Sequence, residues 1–170
     1  METVRQVNDI SVSPFPAFPE KTEDRPLRVL FVCTGNTCRS PMAAAWLNSH
    51  GKAHGIEASS AGLFPAPGSP ISPNAVEALK LAGVEPSPDD RFDLHTARPV
   101  DEATLRSYDR IVGISRRHAM ELIYSYPAHA GKICAMPRDI PDPFGGSVED
   151  YSRCLAEIAA GLKEMFLLDV

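Results

Sequence analysis

The sequence predicts an α/β fold of three layers, in which a four-stranded parallel sheet lies between two layers of helices. Short apolar segments suited to buried strands alternate with segments suited to helices, and glycine or proline residues separate them. The 170 residues, of which 44% are hydrophobic, suffice for one core and leave no room for a second full domain. Sheets of this kind bind ligands beyond the carboxyl ends of their strands.

Four segments have the composition of buried strands. They cover residues 28–32, 56–60, 110–114 and 132–135. Each connection between them is long enough to contain a helix, which parallel pairing requires. We therefore expect four parallel strands with helices on both faces of the sheet.

The first helix is predicted from its terminal residues. Ser40 is a suitable N-cap, and Pro41 after it suits the start of a helix. The alanine-rich segment that follows continues the helix to Gly51 or Gly55. This places a strand, a short loop and a helix in direct succession.

Later helices are indicated by similar signals. One begins at Pro73 and ends at Gly83, Asp101 caps a short one, and another covers residues 118–124 before Pro127. In the last helix apolar residues recur at helical spacing: Val148, Tyr151, Leu155, Ile158, Leu162 and Met165.

The N-terminus of the last helix has its own signal. Ser147 and Asp150 stand three residues apart, as in a capping box.

The N-terminal segment has a different composition from the rest of the chain: residues 1–26 contain four prolines and no sustained periodicity. We expect these residues to form a flexible, Pro-containing arm, and residues 27–170 to form the domain.

Charge and cysteine content restrict the partners and the compartment. The net charge is −5 and no block of like charges stands out, so we expect neither nucleic acid nor a membrane as partner. No apolar stretch approaches the roughly 20 residues of a membrane helix. Four unevenly spaced cysteines indicate a reducing compartment, and we expect a soluble cytoplasmic protein.

The eight residues from Cys33 to Ser40, with the sequence CTGNTCRS, follow the first strand and enter the first helix. A loop wrapped at a helix N-terminus turns several N–H groups inward, and these groups bind a phosphate together with the helix dipole. The same field favours a thiolate at Cys33, which becomes a nucleophile. Arg39 is suited to grip two phosphate oxygens, and Gly35 to supply conformational freedom.

This loop, followed by Pro-Met-Ala, resembles the phosphate loop of the low-molecular-weight protein phosphatases, whose pattern is C-x5-R-S. Further motifs fall in the family's order: Ser60-Ala61-Gly62, Pro73-Asn74-Ala75-Val76, Asp93 to Arg98 and Asp142-Pro143-Phe144. The resemblance covers about residues 28–165. It implies a flavodoxin-like or Rossmann-like sheet with the phosphate-binding loop after the first strand, phosphorylated proteins as substrates, and a cysteinyl-phosphate intermediate.

The resemblance also assigns roles to individual residues. The family's general acid corresponds to Asp142, which would protonate the leaving group and then activate water, releasing inorganic phosphate. Asp139 is the nearby alternative. Asn36 corresponds to the asparagine that holds the loop in shape. Phe64 and Phe144 would flank the substrate, or would belong to the core.

The remaining loop residues complete the phosphate site. Thr34 is expected to bind the phosphate or the substrate, and Ser40 is expected to donate a hydrogen bond to the thiolate or the loop in addition to capping the helix. Thr37 stands where tyrosine phosphatases of the family commonly carry isoleucine or leucine. This substitution resembles the branch that dephosphorylates phosphoarginine, and the alternative is that Thr37 only packs the loop.

The second loop cysteine, Cys38, suggests redox control. A reversible disulfide with Cys33 would protect the nucleophile from overoxidation, whereas a buried structural role is the alternative. The five histidines have no metal-ligand spacing with the cysteines, so we expect surface or structural roles for them, no metal and no cofactor.

Two other functions use a similar loop. Thioredoxin-coupled arsenate reductases need a later pair of closely spaced cysteines, but Cys134 and Cys154 are twenty residues apart. A noncatalytic phosphate-binding module would leave the combination of Cys33, Arg39 and a candidate acid unexplained. The sequence therefore favours a protein-arginine phosphatase, with a protein-tyrosine phosphatase as the alternative.

Overall fold

The computed structural model describes residues 24–170, so the arm predicted for residues 1–26 lies outside the described residues except for its last three. One sheet contains β1 (Leu27–Cys33), β2 (Ile56–Gly62), β3 (Arg110–Gly113) and β4 (Ile133–Ala135). The strands are parallel and lie in the order β2-β1-β3-β4. The predicted α/β fold with a four-stranded parallel sheet is confirmed.

The helices follow the strands as predicted. They are α1 (Arg39–Gly51), α2 (Pro73–Leu81), α3 (Glu102–Arg106), α4 (Arg116–Ser125) and α5 (Val148–Phe166). Short 3-10 turns cover Lys52–His54, Phe92–Leu94 and Pro127–Lys132. Within residues 24–170, no helix has the length and apolar character needed to cross a membrane.

The helix caps agree with the sequence at two of three predicted positions. Asp101 accepts a hydrogen bond from the backbone N–H of Thr104, and Ser147 forms a capping box with Asp150. The predicted cap of α1 is wrong, because its N-cap is Cys38 and Ser40 is already the second helical residue. The Ser40 hydroxyl turns inward to the loop instead.

The sheet is covered on both faces, as the alternation along β1 shows. Val29 and Phe31 face the larger core cluster, which includes residues of α1, α2 and α5. Leu30 and Val32 face a second cluster with Leu105 of α3 and Leu122 of α4. Because successive side chains of a strand point to opposite faces, these two clusters are the two interfaces of a three-layer sandwich.

The order of the strands places the loop after β1 at a crevice. The chain leaves β1 through α1 to β2 on one side, and β3 lies on the other side. Ligands of open α/β sheets bind at such a reversal, beyond the carboxyl ends of the strands. The loop between Cys33 and Arg39 occupies this position.

Candidate active site

The Cys33 thiol lies at the bottom of the loop and is buried. Its Sγ accepts a hydrogen bond from the backbone N–H of Asn36 at 3.3 Å and is 2.9 Å from the Ser40 Oγ. A thiolate has no proton to donate, so the Ser40 hydroxyl donates to Cys33 in that state. Two donors and the N-terminus of α1 thus face one sulfur atom and stabilise negative charge on it.

Asn36 connects the loop to its surroundings through all its polar groups. Its amide Nδ2 donates to Ser40 Oγ at 2.9 Å and to Ser60 Oγ at 3.0 Å. Its Oδ1 accepts from the backbone N–H of Arg98 at 3.0 Å, and its carbonyl accepts from His95 Nε2 at 2.9 Å. These contacts hold Asn36 at a φ of 58°, which is unfavourable for a residue with a Cβ.

Gly35 does not have the conformational role that the sequence suggested. Its φ is not positive, and a Cβ built on it would approach only Thr37 Oγ1, at 3.9 Å. The left-handed residue of the loop is Asn36, which has hydrogen-bond partners to hold it there. The backbone N–H groups of Gly35, Thr37 and Cys38 donate to no group within residues 24–170, as a phosphate cradle requires.

Arg39 extends from the first turn of α1 toward the loop between β4 and α5. Its Nη1 donates to the carbonyl of Ile140 at 3.0 Å, and its Nη2 lies 3.5 Å from Asp142 Oδ2. The Arg39 side chain is buried, whereas the Asp142 side chain is half exposed. The structure therefore brings Arg39 and Asp142 together, and Cys33 lies six residues before Arg39 in the same loop.

Asp139, the alternative acid, has a different contact. Its Oδ1 accepts a hydrogen bond of 2.8 Å from the backbone N–H of Arg116, at the first residue of α4. This bond satisfies one of the free N–H groups of the helix N-terminus. The contact gives Asp139 a structural role and favours Asp142 as the acid.

Two exposed aromatic residues lie on the loops around the site. Phe64 is 74% exposed and its backbone N–H donates to the Thr34 carbonyl at 3.0 Å. Phe144 is 78% exposed and its N–H donates to Asp142 Oδ1 at 3.1 Å. The possibility that they belong to the core is therefore wrong, and both rings are available at the rim.

Thr37 and Cys38 form another part of the loop. Thr37 is half-buried, and its Oγ1 lies 3.7 Å from Cys38 Sγ. Cys38 is buried, and its Sγ lies 3.2 Å from the hydroxyl of Tyr151 on α5. Burial raises the pKa of the Cys38 thiol, while the hydrogen bond with Tyr151 opposes this rise. All four cysteines are free thiols.

Sequence reasoning assigned no role to the side chains that support the loop from other elements, although Ser60 and His95 lie in motifs that the family resemblance includes. Ser60, His95 and Tyr151 contact Asn36 or Cys38, and His118 on α4 lies 3.0 Å from Thr34 Oγ1 by its Nε2. His118 is only 4% exposed, so a surface role is wrong for it. The sequence signal for His118 was its spacing from Ser115, because the two residues form a capping box at the start of α4, directly after β3.

The two remaining cysteines lie twenty residues apart in the sequence, one in β4 and the other in α5. Burial raises the pKa of Cys134 in β4 to about 11 and that of Cys154 in α5 to about 12. Cys154 Sγ lies 3.8 Å from the Pro141 carbonyl. Within residues 24–170, no group of three or more His, Cys, Asp or Glu side chains is placed to hold a metal ion.

Comparison with known families decides the classification. The family described as "Low molecular weight phosphotyrosine protein phosphatase" matches residues 28–168. The chain belongs to this family. It is accordingly a hydrolase of the cysteine-dependent low-molecular-weight phosphatases, as the CTGNTCRS loop predicts. The matched region contains all five helices and the whole sheet except Leu27, the first residue of β1.

Individual relatives in this family have different activities. A protein-arginine-phosphatase of Geobacillus stearothermophilus is 34% identical over 78% of this chain and 89% of its own length. A solved low molecular weight protein tyrosine phosphatase from T. tengcongensis is 36% identical, with a TM-score of 0.75 over 83% of this chain and 98% of that chain. An arsenate reductase of Brevibacillus brevis is 33% identical over 80% of this chain and 91% of its own length.

Proposed function

We propose that this phosphatase removes the phosphoryl group from phosphoarginine in proteins, with Cys33 as nucleophile, Arg39 as phosphate ligand and Asp142 as general acid. The observation that carries the proposal is the presence of a hydroxyl at position 37 of the loop: Thr37 is half-buried, and its Oγ1 lies 3.7 Å from Cys38 Sγ. Similarity to a relative that acts on phosphoarginine supports the same substrate.

In the first step the Cys33 thiolate attacks phosphorus. The backbone N–H groups of the loop and the Arg39 guanidinium bind the phosphoryl oxygens while charge redistributes over them. The bond between phosphorus and the guanidine nitrogen breaks, and the carboxylic acid of Asp142 donates its proton to that nitrogen. The products are the dephosphorylated arginine and a phosphoryl group on Cys33.

In the second step water attacks the phosphoryl group on Cys33. Asp142, now a carboxylate, accepts a proton from the water, and the bond between sulfur and phosphorus breaks. Inorganic phosphate leaves, and the Cys33 thiolate is restored. The hydrogen bonds from Ser40 and Asn36 stabilise this thiolate as leaving group, just as they stabilise it as nucleophile.

Thr37 distinguishes a guanidinium from a phenol by its hydroxyl. An apolar branched side chain in this position favours the flat face of a phenol, whereas the Thr37 Oγ1 offers a polar group to the guanidinium or to the attacking water. Its weak contact with Cys38 Sγ, at 3.7 Å, leaves the hydroxyl with hydrogen-bonding capacity for a ligand.

A phosphotyrosine substrate is the second candidate function. It is favoured by the exposed rings of Phe64 and Phe144, which lie on two loops of the site and could stack against a phenol. Arsenate reduction has less support, because the thiols of Cys134 and Cys154 are twenty residues apart and their pKa values are raised by burial.

The test compares two peptides of the same sequence, one with phosphoarginine and one with phosphotyrosine. We expect a higher kcat/KM on the phosphoarginine peptide, a shift of about tenfold toward phosphotyrosine in Thr37→Ile, and no such shift in the matched variant Thr37→Ser. Cys33→Ser is the inactive control. Comparable or better turnover of phosphotyrosine by the wild type would refute the proposal.

A further inference from the structure

His118 lies in the opposite helix layer from α1, yet it contacts the phosphate loop. It is the third residue of α4 and is 4% exposed. Its Nε2 lies 3.0 Å from Oγ1 of Thr34, the residue that directly follows Cys33. The chemistry proposed above uses neither side chain of this pair, so the contact needs a separate explanation.

The surroundings of His118 determine which ring nitrogen carries the proton. The backbone N–H of Ser115 points at His118 Nδ1 at a distance of 3.1 Å. An N–H group can only donate, so Nδ1 is an acceptor without a proton. The proton of the neutral ring is therefore on Nε2, and His118 donates a hydrogen bond to Thr34 Oγ1.

The neutral form of His118 is favoured near neutral pH. Burial is the main cause that lowers its pKa to about 4, and the charges of Arg39 and Arg117 act in the same direction. Glu121 and Asp142 oppose this effect with a smaller influence than burial and Arg39. The ring thus remains a single donor of fixed direction, rather than an imidazolium with two N–H groups.

A fixed donor on Thr34 Oγ1 determines what the hydroxyl can do. A hydroxyl has one proton and two lone pairs, and His118 occupies a lone pair. The Thr34 hydroxyl proton is consequently turned away from His118. Thr34 is exposed, and it directly follows Cys33 in the loop that is proposed to hold the phosphoryl group of a substrate.

We propose that His118 is a positioning residue, which holds the Thr34 hydroxyl so that its proton is donated to a phosphoryl oxygen of the substrate. This inference rests on the proposed function for the position of the phosphoryl group. It does not depend on whether the substrate is phosphoarginine or phosphotyrosine, because both present the same phosphoryl oxygens to the loop.

A double-mutant cycle tests whether His118 acts through the Thr34 hydroxyl. His118→Leu removes the donor, and Thr34→Val removes the hydroxyl while keeping the shape of the side chain. Each is expected to lower kcat/KM about fivefold to tenfold, the effect of one hydrogen bond. The kcat/KM of the double variant should lie within twofold of that of the slower single variant. If the losses of kcat/KM in the two single variants multiply in the double variant, the two side chains act independently and the inference is wrong.

His118→Gln provides a conservative rescue, because its amide can donate from nearly the same place as Nε2. We expect it to keep kcat/KM within about threefold of the wild type. Activity as low as that of His118→Leu, in protein with a wild-type circular dichroism spectrum, would contradict a donor role.

The imidazole tautomer gives a readout that needs no variant to be active. The ¹⁵N chemical shifts of the labelled histidine rings at pH 7 are expected to show a protonated Nε2 and an unprotonated Nδ1 for His118, assigned by the signals that His118→Gln removes. The opposite tautomer would overturn the inference, even where His118→Leu fails to fold.

Failure of the proposed function has a different signature. If the wild type hydrolyses neither peptide, the proposed function is wrong, and the cycle is then measured on the dissociation constant for inorganic phosphate. Non-additive losses of phosphate affinity in the two single variants would still support the role of His118. Multiplying losses would reject it.

Discussion

A Cβ atom on Gly62 would lie 2.8 Å from the carbonyl oxygen of Thr34, closer than real contacts of this kind. The same atom would lie 3.0 Å from Asn36 Cβ. The end of β2 therefore leaves no space between itself and the phosphate loop. Because the obstructing Thr34 atom belongs to the backbone, the loop cannot yield without a change in its shape.

Gly62→Ala should consequently disturb the loop. We expect the free energy of unfolding to fall by about 2 kcal/mol, as for overpacking in a core, and kcat/KM to fall at least about tenfold. Gly131→Ala is the matched control, because a Cβ at Gly131 meets nothing within 4 Å. Urea unfolding and kinetics on an aryl phosphate measure both effects, and wild-type values for Gly62→Ala would contradict the tight contact.

The left-handed backbone of Asn36 gives a second prediction, in which the usual order of stability of alanine and glycine variants is reversed. Both Asn36→Ala and Asn36→Gly lose the side-chain bonds to Ser40 and Ser60, but only alanine meets the cost of a φ of 58°. In the middle of a helix or strand, glycine lowers the free energy of unfolding by about 0.5–1 kcal/mol relative to alanine. Here we expect Asn36→Gly to be at least as stable in urea unfolding, and a clearly more stable Asn36→Ala would refute the strain.

The sequence predicted the sheet and most helices because their signals are local. Apolar runs marked the strands, and the box of Ser147 and Asp150 marked the start of α5. The positions of Cys33 and Arg39 at the end of β1 also followed from local pattern. Ser40 was misjudged as a cap because a serine before a proline has the same pattern whether its hydroxyl faces the helix or the loop.

The supporting contacts of the site could not be predicted in this way. His118 and Thr34 are 84 residues apart, and Cys38 and Tyr151 are 113 residues apart. Such pairs depend on how the helix layers pack on the sheet, which no local spacing encodes. Gly35 illustrates the same limit, since the loop strain fell on its neighbour with the better hydrogen-bond partners.

Asp142 and Asp139 are distinguished by their substitution with asparagine. Asp142→Asn removes the proton donor, and we expect kcat on the phosphorylated peptides to fall about 100-fold, with a smaller loss on aryl phosphates whose leaving group needs no proton. Asp139→Asn keeps an acceptor for the Arg116 N–H and should retain kcat within about twofold. A larger loss in Asp139→Asn than in Asp142→Asn would reverse the assignment.

Redox protection by Cys38 is tested with peroxide. Oxidation of Cys33 to a sulfenic acid and condensation with the Cys38 thiol would release water and give a disulfide that dithiothreitol reduces. Wild-type activity should therefore recover when dithiothreitol is added after peroxide. Cys38→Ala should be inactivated permanently, with a mass gain of two or three oxygen atoms. Tyr151→Phe removes the bond that opposes the raised pKa of Cys38, so it should recover less than the wild type. Permanent inactivation of the wild type would reject the switch.

His118 also makes the stability of the fold depend on pH. Its pKa is about 4 in the folded state and near 6.5 in an unfolded chain, so between these values the unfolded chain binds more protons. Stability is therefore lost as the pH falls from 6.5 to 4. Burial lowers the pKa of His95 as well, and this histidine acts in the same direction.

The contribution of His118 is measured by urea unfolding at pH 7.0 and pH 4.5. We expect the wild type to lose about 2 kcal/mol more than His118→Gln over this interval, because glutamine keeps the hydrogen-bond donor but does not titrate. Equal losses in the wild type and in His118→Gln would show that His118 is protonated as readily in the folded protein as in the unfolded chain.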